Sequence, residues 1–271
     1  MSANLYTDTI TKSTAAGLVL VNPAFQGYCG LTALKTASYA ILDSDNYSRI
    51  ECDTTAGDVT ITLPLKSTNV GRIVQIANIK GGTNKVIISP NATDANKLSN
   101  DGLNVIWLPK IGDYATFQES ANSGFWEIIN ERISSQFHVR TSAGMGATDT
   151  KIPRFTNVIE NYGNMFSENH STGYSSNQKG LEITINRSGR YAFSYTIYES
   201  TDVCGLSLNS SQLTTVVYSI NEADILSLDL TGAGGSGVSN WTGWLVKTSI
   251  VRPHTSAGSP TKTIFTVSYL G

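Results

Sequence analysis

GRYAFSYTIY, residues 189–198, decides how the chain is read, because Tyr191, Phe193, Tyr195 and Ile197 occupy alternate positions. A period of two puts these four side chains on one face of a strand, against a core. The same alternation recurs in LEITI (Leu181, Ile183, Ile185) and in the final residues (Phe265, Val267, Tyr269). A strand at the end of the sequence is expected to be tied into a sheet rather than to trail as a tail. The spacing predicts an all-β chain.

Composition points the same way. The chain has 271 residues, room for one large domain or two small ones. Charged residues are only 15%, and the 62 Ser and Thr outnumber the 40 charged residues, so the polar surface is built from hydroxyls and amides. Such a surface suits strands, where Thr fits the pleat. A net charge of −2, without a Lys/Arg cluster, excludes the basic stripe that nucleic-acid binding needs. No apolar run approaches the roughly 20 residues that span a bilayer, so membrane insertion is not expected. Residues 1–15 lack the basic and apolar regions of a signal peptide. Cys29, Cys52 and Cys204 are scattered and odd in number, which gives no disulfide framework.

Three segments follow one another. Residues 1–35 are irregular, with a short apolar run LVLV and then Asn22-Pro23, Gly27 and Gly30 as breakers. They are too few to bury a core and are read as an anchoring segment. Residues 36–130 carry short strand signals at intervals of roughly ten, as in an all-β module. These include SYAIL, RIECD, VTITLP, RIVQIANI, KVIIS, NVIWLP, YATFQE and FWEII. Turn chemistry separates them, notably Lys80-Gly81-Gly82-Thr83-Asn84. Residues 131–136 are read as a linker and 137–271 as a second β-domain. No repeat of 20–50 residues and no heptad is visible.

The second half resembles the C1q/TNF-like jelly roll, in the versions that end bacteriophage fibres and bacterial surface filaments. TKIPRF (Thr150 to Phe155), SGRYAFSY (Ser188 to Tyr195), GLSLNSSQL (Gly205 to Leu213) and IVRPHTSAG (Ile250 to Gly258) carry the likeness, in the expected order. The text before IVRPHT, WLVKTS, departs from the LKAGD-like turn of many phage relatives. Residues 36–130 are similar to a small β-module of phage appendages that ends in W-x-I, here Trp126 to Ile128, and the resemblance implies a hairpin at GRIVQIANIKGG, residues 71–82. The resemblance implies a homotrimeric fibre or spike in a virion, made in the host cytoplasm. Residues 1–35 would join it to other virion proteins, and the head would contact a host-surface glycan or protein. A capsid head fibre or decoration protein without a receptor is the alternative. A glycan-cleaving tailspike is a third reading, disfavoured because Asp and Glu are few and dispersed and the chain has no room for a long β-helix.

The same residues suggest where a surface and a core lie. Arg252-Pro253-His254-Thr255 is the richest polar cluster; Arg252 and His254 either hold a ligand or satisfy backbone groups at a strand end. His138, His170 and His254 lie in no catalytic or metal motif, and the sequence points to no cofactor, metal or enzyme activity. Trp241 and Trp244, three apart, point to opposite faces of a strand, and Trp241 is taken as a candidate ligand contact. Tyr162 and Tyr174 are read as aromatic loop tips, and Gly232 to Gly237 as a mobile loop. Phe155, Tyr191, Phe193, Tyr195 and Phe265 are expected in the core or on a threefold axis.

Overall fold

The computed structural model describes residues 31–69, 71–94, 98, 103–119, 125–169, 179–198, 203–230, 236–256 and 262–271. Tyr174, residues 232–235 of the loop expected at Gly232 to Gly237, and residues 1–30 lie outside this set; Gly237 itself begins a strand. The described chain is all-β, with only single 3-10 turns beside the strands.

In the N-terminal half the chain shuttles between two sheets. Strands β1 (Leu31–Lys35), β3 (Tyr47–Asp53) and β5 (Ile73–Lys80) pair side by side in parallel. Strands β2 (Tyr39–Ala40), β4 (Val59–Thr62) and β6 (Val86–Ser89) do the same in the opposite sheet. Six consecutive strands thus wind three coils of a two-sheet solenoid. Antiparallel β7 (Ile106–Leu108) closes one sheet, and β8 (Tyr114–Glu119) with β9 (Trp126–Arg132) closes the other. Equivalent apolar residues stack from coil to coil: Ile50 on Ile76, and Ile61 on Ile88, all fully buried.

Two expectations are corrected here. Residues 31–35, read as part of the irregular anchor, form β1. The expected hairpin at Gly81-Gly82 is an arch, because β5 and β6 lie in different sheets. Asn84 reaches back to the arch of the preceding coil, donating from its side chain to the Thr54 carbonyl at 2.9 Å. The Thr54 amide in turn donates to the Lys80 carbonyl at 2.6 Å.

The C-terminal half is a sandwich of two five-stranded antiparallel sheets. One has the order β11 (Pro153–Tyr162), β10 (Gln136–Met145), β19 (Thr263–Tyr269), β14 (Gly189–Ile197), β17 (Gly237–Leu245). The other has the order β12 (Phe166–Glu168), β13 (Ile183–Ile185), β18 (Ile250–Thr255), β15 (Cys204–Leu208), β16 (Ile225–Asp229). Consecutive strands cross repeatedly between the sheets, which makes a jelly roll. Tyr191, Phe193, Tyr195, Phe155 and Phe265 fill the space between the sheets and are buried within one chain. Phe265 contacts the rings of Phe155 and Phe193, each at 6.2 Å between centroids. The Tyr191 hydroxyl donates toward the carbonyls of Met165 and Arg187, which satisfies its one polar group inside the core.

Only residues 133–135 lie between β9 and β10, and Ile133 and Ser135 are buried. The Asn164 side chain accepts from the Trp107 amide at 3.1 Å and donates to the Val105 carbonyl at 2.8 Å, acting as a short strand partner across the junction. Asp113 is buried and accepts from the Ser134 amide and hydroxyl. Burial raises its pKa, partly offset by these bonds.

Candidate functional surface

The outer face of the β11-β10-β19-β14-β17 sheet is built from the side chains that alternate with the core. Register carries three rows across all five strands. The first is Thr242, Ala192, Ser268, Gln136, Tyr162; the second is Asn240, Ser194, Thr266, His138, Glu160; the third is Val238, Thr196, Ile264, Arg140, Asn157. Its centre holds small hydroxyl and methyl side chains. Period two explains this: each large inward residue of β14 leaves a small outward neighbour. At the margins stand Trp244 at 65% exposure, Tyr198 at 52% and Leu270 at 53%. Polar and charged side chains gather on the β10 and β11 side, at His138, Arg140 and Glu160. A sheet face with small central side chains admits close approach of another surface.

The predicted contact residues fall in different places. Tyr162 is the last residue of β11, not a loop tip. Its hydroxyl donates to the Gln136 side chain at 2.9 Å, and the Lys110 ammonium sits 3.9 Å from its ring centroid. Trp241 faces inward and packs on Phe193 at 6.1 Å, with its ring over Gly243, where a Cβ would collide with it. Trp244, three residues on, carries the exposed indole. The opposite-face reading of the pair is what the structure has, but the surface tryptophan is the other one. Trp241 shares the face of Ser239 and Leu245, both buried; the sequence alone does not separate the faces, because Val238, Trp244 and Val246 alternate on the other one.

Arg252 and His254 do not form a ligand loop. Both lie on β18 and point out of the sandwich, beneath the segment that follows β15. Arg252 Nε and Nη2 donate to Glu182 Oε2 at 3.0 and 2.6 Å, and Nη1 donates to the Ser210 carbonyl at 2.9 Å. His254 is fully buried. Its Nδ1 lies 3.2 Å from the Thr215 carbonyl and its Nε2 2.8 Å from Ser207 Oγ. A carbonyl only accepts, so Nδ1 carries the proton and Nε2 accepts from Ser207. Burial pushes the imidazole down to about 4; the Thr215 bond opposes this and the Arg252 charge adds to it. A neutral ring with both nitrogens used inside the protein cannot serve an external ligand. Among the described residues no group of three His, Cys, Asp or Glu side chains is placed to hold a metal ion.

No family profile matches the chain, and no curated protein does. Among solved structures, murine APRIL shares 12% identity with a TM-score of 0.35, covering 51% of this chain and 99% of that one. The globular domain of zebrafish complement 1qA shares 15% at 0.29, covering 50% and 95%. The Eiger TNF of S. frugiperda shares 14% at 0.30, covering 51% and 92%. The jelly-roll assignment rests on the strand order itself.

Proposed function

We propose that this chain is a non-enzymatic structural protein of a bacteriophage virion, a short homotrimeric fibre or spike that mediates attachment to the host surface. The observation that carries the reading is the outer face of the β11-β10-β19-β14-β17 sheet. It is small-chained at its centre and flanked by exposed Trp244, Tyr198, Val238 and Leu270, a composition suited to burial against another protein surface. Three copies closing in a ring cover that face on every chain and leave no open end. The solenoid would then form the stalk, and residues preceding β1 would join it to the particle. The sequence resemblance of both halves to phage appendage modules supports the virion setting. Multiple weak contacts from three heads would supply avidity.

Light scattering on the purified full chain should give the trimer mass; the monomer mass at micromolar concentration would overturn the assembly. Gold labelling of intact particles with an antibody to residues 137–271 should mark the tail tip or a spike. Labelling spread over the capsid shell would replace attachment with decoration.

A further inference from the structure

The connection from β15 to β16, residues 209–224, lies across the outer face of the second sheet instead of looping into solvent. Its backbone bonds between Ser210 and Asn221 are local turns. Its first residue, Asn209, is held by a pair of bonds to Ile250 of β18. Beyond this hinge it is tied to the rest of the head by Arg252 Nη1 to the Ser210 carbonyl, the Lys151 amide to the Leu213 carbonyl at 3.3 Å, and His254 Nδ1 to the Thr215 carbonyl. Beneath it, Val217 packs where a Cβ on Gly205 would stand, and Val217 and Ile220 are buried by this contact and its surroundings. Arg252 and His254 alternate on β18, opposite Ser207 and Gly205 on β15. The RPHT motif therefore grips a segment of its own chain.

We propose that residues 209–224 are an acid-released strap, latched by His254 and Arg252, whose opening uncovers the apolar Val217 and Ile220 and the Gly205–Ser207 face while the sandwich stays folded. The latch is asymmetric. A guanidinium does not titrate in proteins, whereas the His254 ring is closed off from bulk solvent and must be neutral to accept from Ser207. A proton on Nε2 turns that acceptor into a donor and places a charge beside Arg252 in a site closed to bulk solvent. Opening the strap rehydrates the ring without parting any strand. The other charged groups around the latch are Glu182 ahead of β13, Glu222 and Asp224 on the strap, Asp229 on β16, and Asp149 and Lys151 at the Leu213 contact. Of these, Glu182 is the one paired to a latch residue.

Amide hydrogen exchange on the full chain, corrected for intrinsic rates, tests this at about pH 7.5 and about pH 5. With the ring at about 4 when covered and near 6.5 when open, strap opening should rise roughly 30-fold at the lower pH. Amides of β14, which exchange through unfolding of the whole head, should stay far better protected than those of the strap at both pH values. In His254→Gln, whose amide still donates to Thr215 and accepts from Ser207, the acid response of the strap should vanish. In Glu182→Gln it should persist. Strap and β14 amides exchanging with the same opening free energy at each pH would make the event global unfolding and overturn the proposal. An acid response that survives in His254→Gln, or disappears in Glu182→Gln, would also overturn it by assigning the trigger to the carboxylate.

Discussion

Tyr269, in the last strand of the head, donates its hydroxyl to Glu131 of β9 at 2.7 Å, across 138 positions of sequence. The second oxygen of that carboxylate is taken by Arg187 at 2.6 Å, whose guanidinium also lies 5.6 Å from the Tyr269 ring centroid. One carboxylate from the solenoid thus binds two separate strands' ends of the jelly roll. The side chains of Arg187 and Glu131 are only 12% and 15% exposed, so the pair is poorly screened.

Glu131→Ala should therefore loosen the junction. Losing a charged hydrogen bond and leaving Arg187 short of its partner should cost about 2 kcal/mol. Chemical denaturation should show a lower midpoint, and the two halves should begin to unfold separately, with a lower apparent m. An unchanged midpoint would mean that solvent already serves Arg187.

Phe193 touches the rings of Tyr191, Trp241 and Phe265 and is almost wholly buried. Phe193→Ala should cost ~3–5 kcal/mol, the usual loss for a large core aromatic. Thermal melting of the full chain is the measurement, and a melting temperature equal to wild type would contradict the packing.

Trp244 separates assembly from folding. Trp244→Arg places a charge on the exposed face and removes nothing from the core. The monomer fold, read by circular dichroism, should be unchanged, while light scattering should show the oligomer dissociating. Trp241→Ala should do the reverse and destabilise the fold. If Trp244→Arg still assembles, the covering surface lies elsewhere.

The His254 ring also makes the whole head acid-sensitive. Its pKa falls from 6.5 when unfolded to about 4 when folded, so between these values the unfolded chain binds more protons. Its contribution is complete above pH 6.5, declines as pH falls, and is lost below about 4. The depression corresponds to about 3 kcal/mol. Denaturation midpoints of wild type should drop across this window more than those of His254→Gln. Parallel curves would show that carboxylates alone set the acid response.

How much of this was legible depends on whether partner or face is asked for. Alternation at Tyr191, Phe193 and Tyr195 fixes the inward face, and these residues are where a period of two puts them. It does not name the neighbouring strand. In the solenoid that neighbour is a whole coil away, and the coils beginning at Leu31, Tyr47 and Ile73 are unequal in length, so no repeat shows. A Gly-Gly turn between two apolar runs reads as a hairpin, although here it turns the chain into the opposite sheet. His254 was ambiguous for a different reason. Its burial comes from residues 209–224 folding over β18, a contact that no local pattern around RPHT encodes. Tyr162 likewise sits near Gly163 and Asn164, which read as a loop, while its register with Gln136 places it in a strand.

The arch stack offers the sharpest test of the solenoid. Gly81 lies against Thr54 of the preceding coil, and a Cβ there would run into the Thr54 hydroxyl and approach its backbone, whereas Gly82 has open space around it. Thr54 is fully buried, and its hydroxyl donates to the Lys80 or Asn84 carbonyl at 3.2 and 3.3 Å. It cannot swing aside without surrendering those bonds. Gly81→Ala should then cost ~1–3 kcal/mol through overpacking, and Gly82→Ala should be close to neutral. The two substitutions change the same chemistry one residue apart, so composition and unfolded-state effects nearly cancel in the comparison. In a hairpin, β5 and β6 would pair with each other and Thr54 would not lie against the turn, so the two variants should then differ far less. Equal denaturation midpoints for Gly81→Ala and Gly82→Ala would dismiss the stacked arches, and with them the parallel order of β3 and β5.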